Sequence, residues 1–556
     1  MKIPSDISRR DLFYTETIEK CLCSLENRKG RYDALRMYYL FGGYGTDECA
    51  FNKVYPHIDL LTSFLFSSET TKFMVSLGAN AEEIEHGRVQ VLGRAVNDRW
   101  LESGADKVVS AAITWALVNN TMLVKLVPVV NDLTKDLEIS PFPVHPSSFG
   151  VLREDISFLD RQEAFVHTYY TTKSQLEIDL KDHSKKAEIL EYLNPSKGVS
   201  QTENGIDRLI MGVLQPLSQS TPPNGQIQFS MAASISYSPD VAEDVVEMVE
   251  LWVWNTDEND YQVVTKIKDG ALIYDRKNFF LGGEHPFVQI CPLPLPFYFW
   301  GMSEVAGLAT LQDWRNERVA QVRKLLNLQV KPPTSQSGMG IPDEMAYALF
   351  CEGGLLADKT GGMGGQADVK RFAPIIPTDI FNVIHEIDAA FAEHSGLPPI
   401  VQGKGDKGVR SGDQTSQLAR LGSSRIKKRS LVIEDSLEKI STLYLKLMQK
   451  HDPTTYRDDK GESFVASQFT QEFTVKVDAH SNSPIFIEDK RELAFSMLQQ
   501  HLIDRARAID IVDPPNKEIM IRELKIMEEK EAEQQKSMMQ EKEKIEAMKH
   551  GQKQTA

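Results

Sequence analysis

The chain has 556 residues, 41% hydrophobic and 26% charged, a composition that excludes collagen-like, mucin-like, disulfide-dense and disordered classes. At roughly 150 residues per unit, the length predicts three or four structural units. The 63 Lys and Arg against 79 Asp and Glu leave a formal charge of −16, so avid non-specific DNA binding is disfavoured unless cations are segregated.

Five scattered cysteines (Cys21, Cys23, Cys49, Cys291, Cys351) form no framework of bridges, and free thiols in a reducing compartment are expected. The start, MKIPSDISRRD, lacks the apolar core of a secretion signal. The longest apolar stretch, Val108 to Val130, contains Asn119, Asn120 and Lys125, which are costly in lipid. It reads as a buried helix running into a strand, and no membrane association is expected.

From Ile7 to about Val130 the pattern is mainly helical. One segment closes with Leu35, Tyr38, Tyr39 and Phe41 before the turn Gly42-Gly-Tyr-Gly45, and a second follows Tyr55-Pro56. Two more cover Glu82 to Leu101 and Ala105 to Asn119, joined at Ser103-Gly104. Pro141 to Pro146 then breaks helix, and the aromatic and β-branched residues from Phe149 to Tyr170 predict strands. Ser174 to Leu193 returns to helical spacing. Val249 to Trp254 and Tyr261 to Ile267, around the turn Asn255 to Asp260, predict an antiparallel hairpin.

Three alternating prolines in Cys291-Pro-Leu-Pro-Leu-Pro-Phe-Tyr-Phe-Trp300 hold an extended approach that Gly301 ends. Ser303 is a fitting N-cap with Glu304 in the first turn. A helix from Ser303 to Val330 spans about 42 Å at roughly 1.5 Å per residue. It carries an intermittent apolar stripe (Leu308, Leu311, Val319, Val322, Leu326) and charged faces (Arg315, Arg318, Arg323, Lys324). Lys331-Pro-Pro333 stops it, and a glycine-rich excursion follows to Pro377. A second helix fits Thr378 to His394. Gly396 to Gly412 is a loop, Asp413 to His451 a long helix with Leu437, Ile440, Tyr444 and Leu447 on one side, and Thr470 to Val477 a strand. Ile487 to Arg507 and Pro515 to about Met548 are helical, but Glu531 and Gln534 break any heptad.

Motifs for catalysis fail one by one. Gly403-Lys-Gly-Asp-Lys-Gly408 has the dinucleotide spelling but follows an amphipathic helix and Pro398-Pro399, not a buried strand. Lys404 is followed by Gly405 and not by Ser or Thr, so it is no P-loop. Cys21, Cys23 and Cys49 with His57 lack zinc spacing, and the cysteines read as buried thiols. His385-Glu386 has no second histidine at the metalloprotease position, and no nucleophile elbow occurs. No enzyme activity, metal or cofactor is implied. What stands out is a run of cations, Lys404, Lys407, Arg410, Arg420, Arg425, Lys427, Lys428 and Arg429, against Asp406 and Asp413. Either it is a solvated face paired with acidic neighbours, or its glycine-rich part is a mobile basic loop touching a polyanion transiently. Trp252, Trp254, Trp300 and Trp314 read as core or subunit-contact residues rather than a base-stacking platform.

The segment Pro294-Leu-Pro-Phe-Tyr-Phe-Trp-Gly-Met-Ser-Glu-Val-Ala-Gly-Leu-Ala-Thr-Leu-Gln-Asp-Trp-Arg-Asn316 resembles the proline-aromatic-glycine lead-in to the first stem helix of portal proteins of tailed double-stranded DNA bacteriophages. The short insert, second helix, glycine-rich loop and long helix follow in that family's order. Asn52-Lys-Val-Tyr-Pro56 and Pro146-Ser-Ser-Phe-Gly-Val-Leu-Arg-Glu154 are weaker similarities, and the likeness spans roughly residues 15 to 510.

The resemblance implies an α+β, mainly helical portal-type fold forming a dodecameric ring with wing, stem, clip and crown. Residues 1–302 would be wing, 303–330 the first stem helix, 331–377 the clip and 378–395 the second stem helix. Residues 396–412 would be a tunnel loop touching DNA through Lys404, Lys407 and Arg410, 413–486 a long wing helix and closing strand, and 487–556 the crown and a helical tail. The first stem helix would carry Trp314, Arg315, Arg318, Arg323 and Lys324. Implied partners are other copies of the chain, double-stranded viral DNA, the terminase large subunit, the major capsid protein, a head-tail adaptor and a scaffolding protein. The implied location is the portal vertex of the virion, with assembly in the host cytoplasm. Another ring-forming adaptor of the virion would share the helices and acidity without needing the helix-insert-helix order and basic loop. An enzyme would need clustered His, Asp or Glu in a closed pocket.

Overall fold

The computed structural model describes residues 1–43, 51–66, 72–77, 83–130, 137–181, 245–268, 270–330, 332–336, 354–355, 369–371, 375–395, 424–457, 461–469 and 473–478, with scattered positions in 183–189 and 494–527. The chain divides into two compact units, Met1–Asp478 and Ala479–Ala556. In the second, a short helical stretch covers 494–499.

The first unit is α+β. It opens with α1 (Ile7–Leu22), α2 (Leu25–Phe41), α3 (Val54–Leu65), β1 (Lys72–Leu77), α4 (Glu83–Glu102) and α5 (Ala105–Asn119). Strands β2 (Met122–Val130), β3 (Leu137–Val144), β4 (Phe149–Val151) and β5 (Ala164–Thr172) lead to α6 (Lys173–Asp179). Then come β6 (Val245–Asn255), β7 (Asp260–Ile267), β8 (Leu272–Lys277) and β9 (Phe287–Ile290). After α7 (Glu304–Val330) follow β10 (Pro333–Gln336), β11 (Gly354–Leu355), β12 (Val369–Arg371), α8 (Asp379–Ser395), α9 (Ser424–His451), β13 (Thr455–Arg457), β14 (Ser463–Val465) and β15 (Phe473–Asp478).

The stretch Val108–Val130 is a helix running into a strand, as its pattern predicts. Val109, Ala112, Ile113, Ala116, Leu117 and Val118 are fully buried in α5, and Asn120 turns the chain at φ 81° into β2. The predicted hairpin is β6–β7, in register from Met248 opposite Ile267 to Asn255 opposite Asp260. It forms the centre of an antiparallel sheet ordered β4-β5-β6-β7-β8.

A second sheet, β3-β2-β9, meets the first through aromatic rings. Phe287 of β9 lies 5.7 Å from Phe165, 5.3 Å from Phe149 and 6.3 Å from Trp252, in each case edge to face, a geometry that adds to simple area burial. One ion pair crosses the same layer: Lys125 Nζ of β2 reaches Glu250 Oε2 of β6 at 2.7 Å, and Trp252 donates its indole N–H to Oε1 at 2.7 Å. Burial pushes the Glu250 carboxyl up, but Lys125, His167 and the indole outweigh it and hold the group below its usual range.

The region before Val130 is not purely helical. Lys72–Leu77 forms β1 and pairs antiparallel with β15, setting Phe73 opposite Val477. Its partner lies some 400 residues away, so no local window reveals it. A lone two-stranded sheet is marginal and has two open edges, but side chains close both here. Asn97 of α4 accepts the Phe73 N–H at 2.9 Å and donates to its carbonyl at 3.0 Å. Glu438 of α9 accepts the N–H of Val477.

Helix α9 buries Leu437, Ile440, Tyr444 and Leu447, the side its spacing predicts. Its lysines tie it to loops around the sheets: Lys439 reaches Asp160 at 2.6 Å, Lys446 pairs with Glu284 and Lys450 donates to the Phe280 carbonyl at 2.6 Å.

Candidate functional site

The lead-in after β9 is exposed from Pro294 to Phe297 and turns inward at Phe299 and Trp300, both buried. Phe297 sits at φ 59° in the turn Leu295 to Tyr298 with 84% of its surface free. Trp300 is fully buried. Its indole N–H donates to Glu154 Oε1 at 2.8 Å, and the Arg28 guanidinium lies 3.8 Å from its ring centroid. Its carbonyl accepts the Thr121 hydroxyl at 2.7 Å. Gly301 has φ 63°, and a Cβ there would strike Cys291 Sγ and the Leu293 carbonyl, so only glycine fits.

Ser303 performs the expected cap: its Oγ accepts the Ala306 N–H at 3.2 Å and donates to the Val118 carbonyl at 2.6 Å. Glu304, in the first turn of α7, is buried, with Arg429 of α9 at 3.1 Å and His57 of α3 at 3.6 Å. An anionic side chain at a helix N-terminus complements the helix dipole, and here it also joins three helices.

The next two turns are a polar root. Gln312 accepts the Lys53 N–H at 3.0 Å and donates to the Phe51 carbonyl at 3.2 Å. Asn316 donates to the Gly42 carbonyl at 2.7 Å, and Tyr38 donates its hydroxyl to Asp313 at 2.6 Å. Arg315 is buried; its Nε reaches Asp388 of α8 at 2.9 Å, and its Nη1 the Phe51 carbonyl at 3.2 Å. Lys53 reaches the same Asp388 at 3.5 Å. The Gln and Asn of the sequence motif therefore clamp the chain on either side of 44–50.

Beyond Asn316 the character changes. No residue from Glu317 to Val330 is buried, and Leu326 and Val330 are exposed. Helix α8 runs antiparallel alongside: Arg315 meets Asp388, and the face of Gly307 meets His394, where a Cβ would collide with the imidazole ring. Ile387 and Phe391 are the buried residues of α8, while Phe381 is exposed. Past α7 the chain enters β10, which pairs antiparallel with β12 before α8 and parallel with β11. A helical hairpin thus carries a small three-stranded sheet at its tip.

The expected site residues separate. Arg315 does not serve a charged outer face: it is buried because Asp388 and the Phe51 carbonyl meet it on the inner side of the root. Trp314 is 55% exposed, whereas Trp252 and Trp300 are core residues. Arg318 is half-buried and donates to Gln321 at 2.7 Å, while Arg323 and Lys324 are exposed. Lys404, Lys407 and Arg410 lie outside the described residues, as do Gly396 to Gly412 and most of the 331–377 insert. Of the remaining cation run, Lys427 and Lys428 are exposed and Arg429 is committed to Glu304.

Sequence reasoning missed Asp388 and His394, and weighed His57 only as a metal ligand and not as a neighbour of Glu304. Gly307 inside a helical pattern was the available signal for the close approach of α8. Among the described residues no group of three or more His, Cys, Asp or Glu is placed to hold a metal ion, and no helix is long and apolar enough to cross a membrane.

The chain is similar to chains of gene transfer agent particles. A chain from the virion of the native particle is 10% identical, with 87% of this chain and 93% of that one covered and a TM-score of 0.39. A chain from the neck of the native particle, computed with C12 symmetry, is 10% identical over 87% and 94% at a TM-score of 0.36. One from the neck of the empty particle, computed with C6 symmetry, is 11% identical over 86% and 92% at 0.36. No family model and no curated protein matches the chain.

Proposed function

We propose that the chain is a portal subunit. Twelve copies form a ring at one capsid vertex, through which double-stranded DNA is packaged and later ejected. In this reading α7 and α8 are the stem, and the insert between them is the clip that docks the terminase large subunit and afterwards a head-tail adaptor. Residues 1–302 and 413–486 form the wing against the major capsid protein, a scaffolding protein assists assembly, residues 396–412 form the tunnel loop and 487–556 the crown and tail. The protein has no catalytic role.

The observation that carries the reading is the hairpin. Its root is fixed by ion pairs and hydrogen bonds, yet its outer half carries Val319, Val322, Leu325, Leu326 and Leu328 over about half of the helix surface, and among the described residues α8 is the helix beside it. An apolar arc wider than one neighbouring helix covers is stable when further neighbours flank it. Identical neighbours on two flanks supply that cover, and such a head-to-tail contact closes into a ring. The chain's acidity suits a channel that passes DNA without holding it, because every neutralised phosphate adds affinity and slows sliding.

Light scattering of the purified protein, with negative-stain images of the same peak, tests the reading. Twelve copies of 62.7 kDa make about 750 kDa, and a hollow ring of that mass is expected. A particle near one or two chain masses refutes it. With rings in hand, replacing Lys404, Lys407 and Arg410 by Ala should leave assembly intact and alter DNA packaging or retention; loss of rings would make the loop structural.

A further inference from the structure

Leu295-Pro-Phe-Tyr298 is a tight turn: the Tyr298 N–H donates back to the Leu295 carbonyl at 3.4 Å, and Pro296 fills the second position, where its fixed φ is favourable. The third position of a proline turn with φ above zero is normally glycine. Here it is Phe297 at φ 59°, a left-handed backbone that is costly for any residue with a Cβ and most of all for a bulky one. The benzyl group does not offset that cost by packing within the chain, because it stays 84% exposed. Glycine would suit the turn better and leave less apolar surface in water. The same lead-in does use glycine where its own packing demands left-handed backbone, at Gly301 with φ 63°.

The turn is held from behind. Ser157 donates its hydroxyl to the Leu295 carbonyl at 3.3 Å, and the Phe299 N–H donates to the Glu154 carbonyl at 2.8 Å. These bonds bring the loop 154–158 alongside, so that the exposed Phe158 and Leu295 extend the apolar surface begun by Phe297. Two exposed cations stand at its rim. Arg161 lies 5.6 Å from the Phe158 ring centroid, and Arg31 is close enough to Tyr298 to act electrostatically on its hydroxyl.

We propose that Phe297 is a knob that inserts between apolar side chains of the next copy of the chain, with Phe158 and Leu295 closing over the contact and Arg31 and Arg161 facing carboxylates of that copy. This rests on the ring reading and deepens it by naming an anchor of the subunit contact. Two features select a second copy as the occupant. A chain of charge −16 offers an acidic surface to the rim cations. A single projecting side chain needs a socket elsewhere on the surface it meets, and such a head-to-tail contact is the kind that closes into a ring. The knob is already fixed by its turn before association, so little order is lost on docking. An aromatic anchor surrounded by contacts that exclude water is also where binding energy concentrates.

The test is F297G in the full chain. It keeps the turn and removes the knob, so the unfolding midpoint of the isolated chain should hold or rise. The protein concentration at which half the chain is in rings should rise by about tenfold or more, the loss expected of a central aromatic anchor. R31E/R161E changes exposed charges and should raise the same concentration at an unchanged midpoint. With p-benzoylphenylalanine at position 297, irradiation of purified rings should join chains into a species of about 125 kDa, twice 62.7 kDa. F297G rings that form at the wild-type concentration would overturn the proposal and leave the knob to another virion protein. Irradiated rings without the joined species, or rings indifferent to R31E/R161E, would overturn it as well. So would a lower midpoint for F297G, which would place the benzyl group in the packing of its own chain. A wild-type chain that forms no ring would overturn the portal reading itself, and this inference with it.

Discussion

Replacing Trp300 by Ala should cost the fold more than almost any other single change in the lead-in. The indole is fully buried, and truncating a buried Trp or Phe costs about 3–5 kcal/mol through lost transfer energy and the cavity left behind. The stacked Arg28 adds roughly 0.5–2 kcal/mol as a desolvated cation–π contact. Glu154 would lose the indole donor but keep the Ser24 hydroxyl and Arg28, so no buried charge is orphaned and no further large penalty arises. The sum, about 3.5–7 kcal/mol, compares with a total stability of about 5–15 kcal/mol. At about 1.4 kcal/mol per tenfold, it lowers the folded-to-unfolded ratio by about two and a half to five orders of magnitude. Soluble yield and the urea midpoint should both collapse. Trp300→Phe, which keeps most of the ring and loses only the N–H donation, should cost about 1–2 kcal/mol and still assemble. An Ala variant with wild-type yield and midpoint would refute the claim that Trp300 anchors the start of α7.

Gly307→Ala places a methyl against the His394 imidazole and should loosen the pairing of α7 and α8 by about 1–3 kcal/mol; hydrogen exchange across 379–395 reads this directly, and unchanged protection would mean that the helices can shift apart freely. Glu250→Gln leaves Lys125 buried without its counter-charge and should cost about 3–5 kcal/mol, part of which Lys125→Met in the same chain recovers; a double-mutant cycle without interaction energy would remove the pair from the sheet contact. Acid should destabilise the fold through two histidines. Burial, aided by Arg36, pushes His145 down to about 3, and burial with Lys125 does the same to His167. Both are neutral when folded and take a proton near pH 6.5 when unfolded. Their contribution is complete above about pH 6.5 and lost as pH falls toward 3, at up to about 1.4 kcal/mol per pH unit for each. The urea midpoint of the double variant His145→Gln, His167→Gln should fall less steeply between pH 6 and 4, and an equal slope would place the acid loss in other groups.

Local signals made much of the fold legible. The β6–β7 hairpin shows as alternation about a polar turn, α5 and β2 as a long apolar run interrupted by two asparagines, and the start of α7 as proline, glycine and a serine cap. Non-local pairing was not legible: β1 looks like part of a helical region because Val477 and its neighbours, which complete it, lie far along the chain. At Trp314-Arg315 an aromatic beside a cation invites placing the first inside and the second outside. The structure reverses them, since an inner position facing Asp388 and a backbone carbonyl is better filled by five guanidinium donors than by an indole. That inversion depends on Asp388, 73 residues away, and nothing near position 315 announces it.

The two halves of α7 obey different rules, and this bears on how a ring would assemble. The root is satisfied within one copy: Gln312, Arg315 and Asn316 hold the Gly42 and Phe51 carbonyls, and Glu304 holds Arg429. The hairpin is therefore positioned before any neighbour arrives. Association then costs the freedom of rigid bodies and some side-chain order, and not the ordering of a new helix, which would add several kcal/mol to every contact. Substitutions should sort accordingly. Those in the root, such as Arg315→Met, leave Asp388 facing Lys53 alone and lower the unfolding midpoint and ring formation together. On the proposed ring reading, those in the outer half should change ring formation at a constant midpoint. A change beyond Glu317 that lowered the midpoint of the isolated chain as much as one at Arg315 would mean that the stem completes its folding only on assembly.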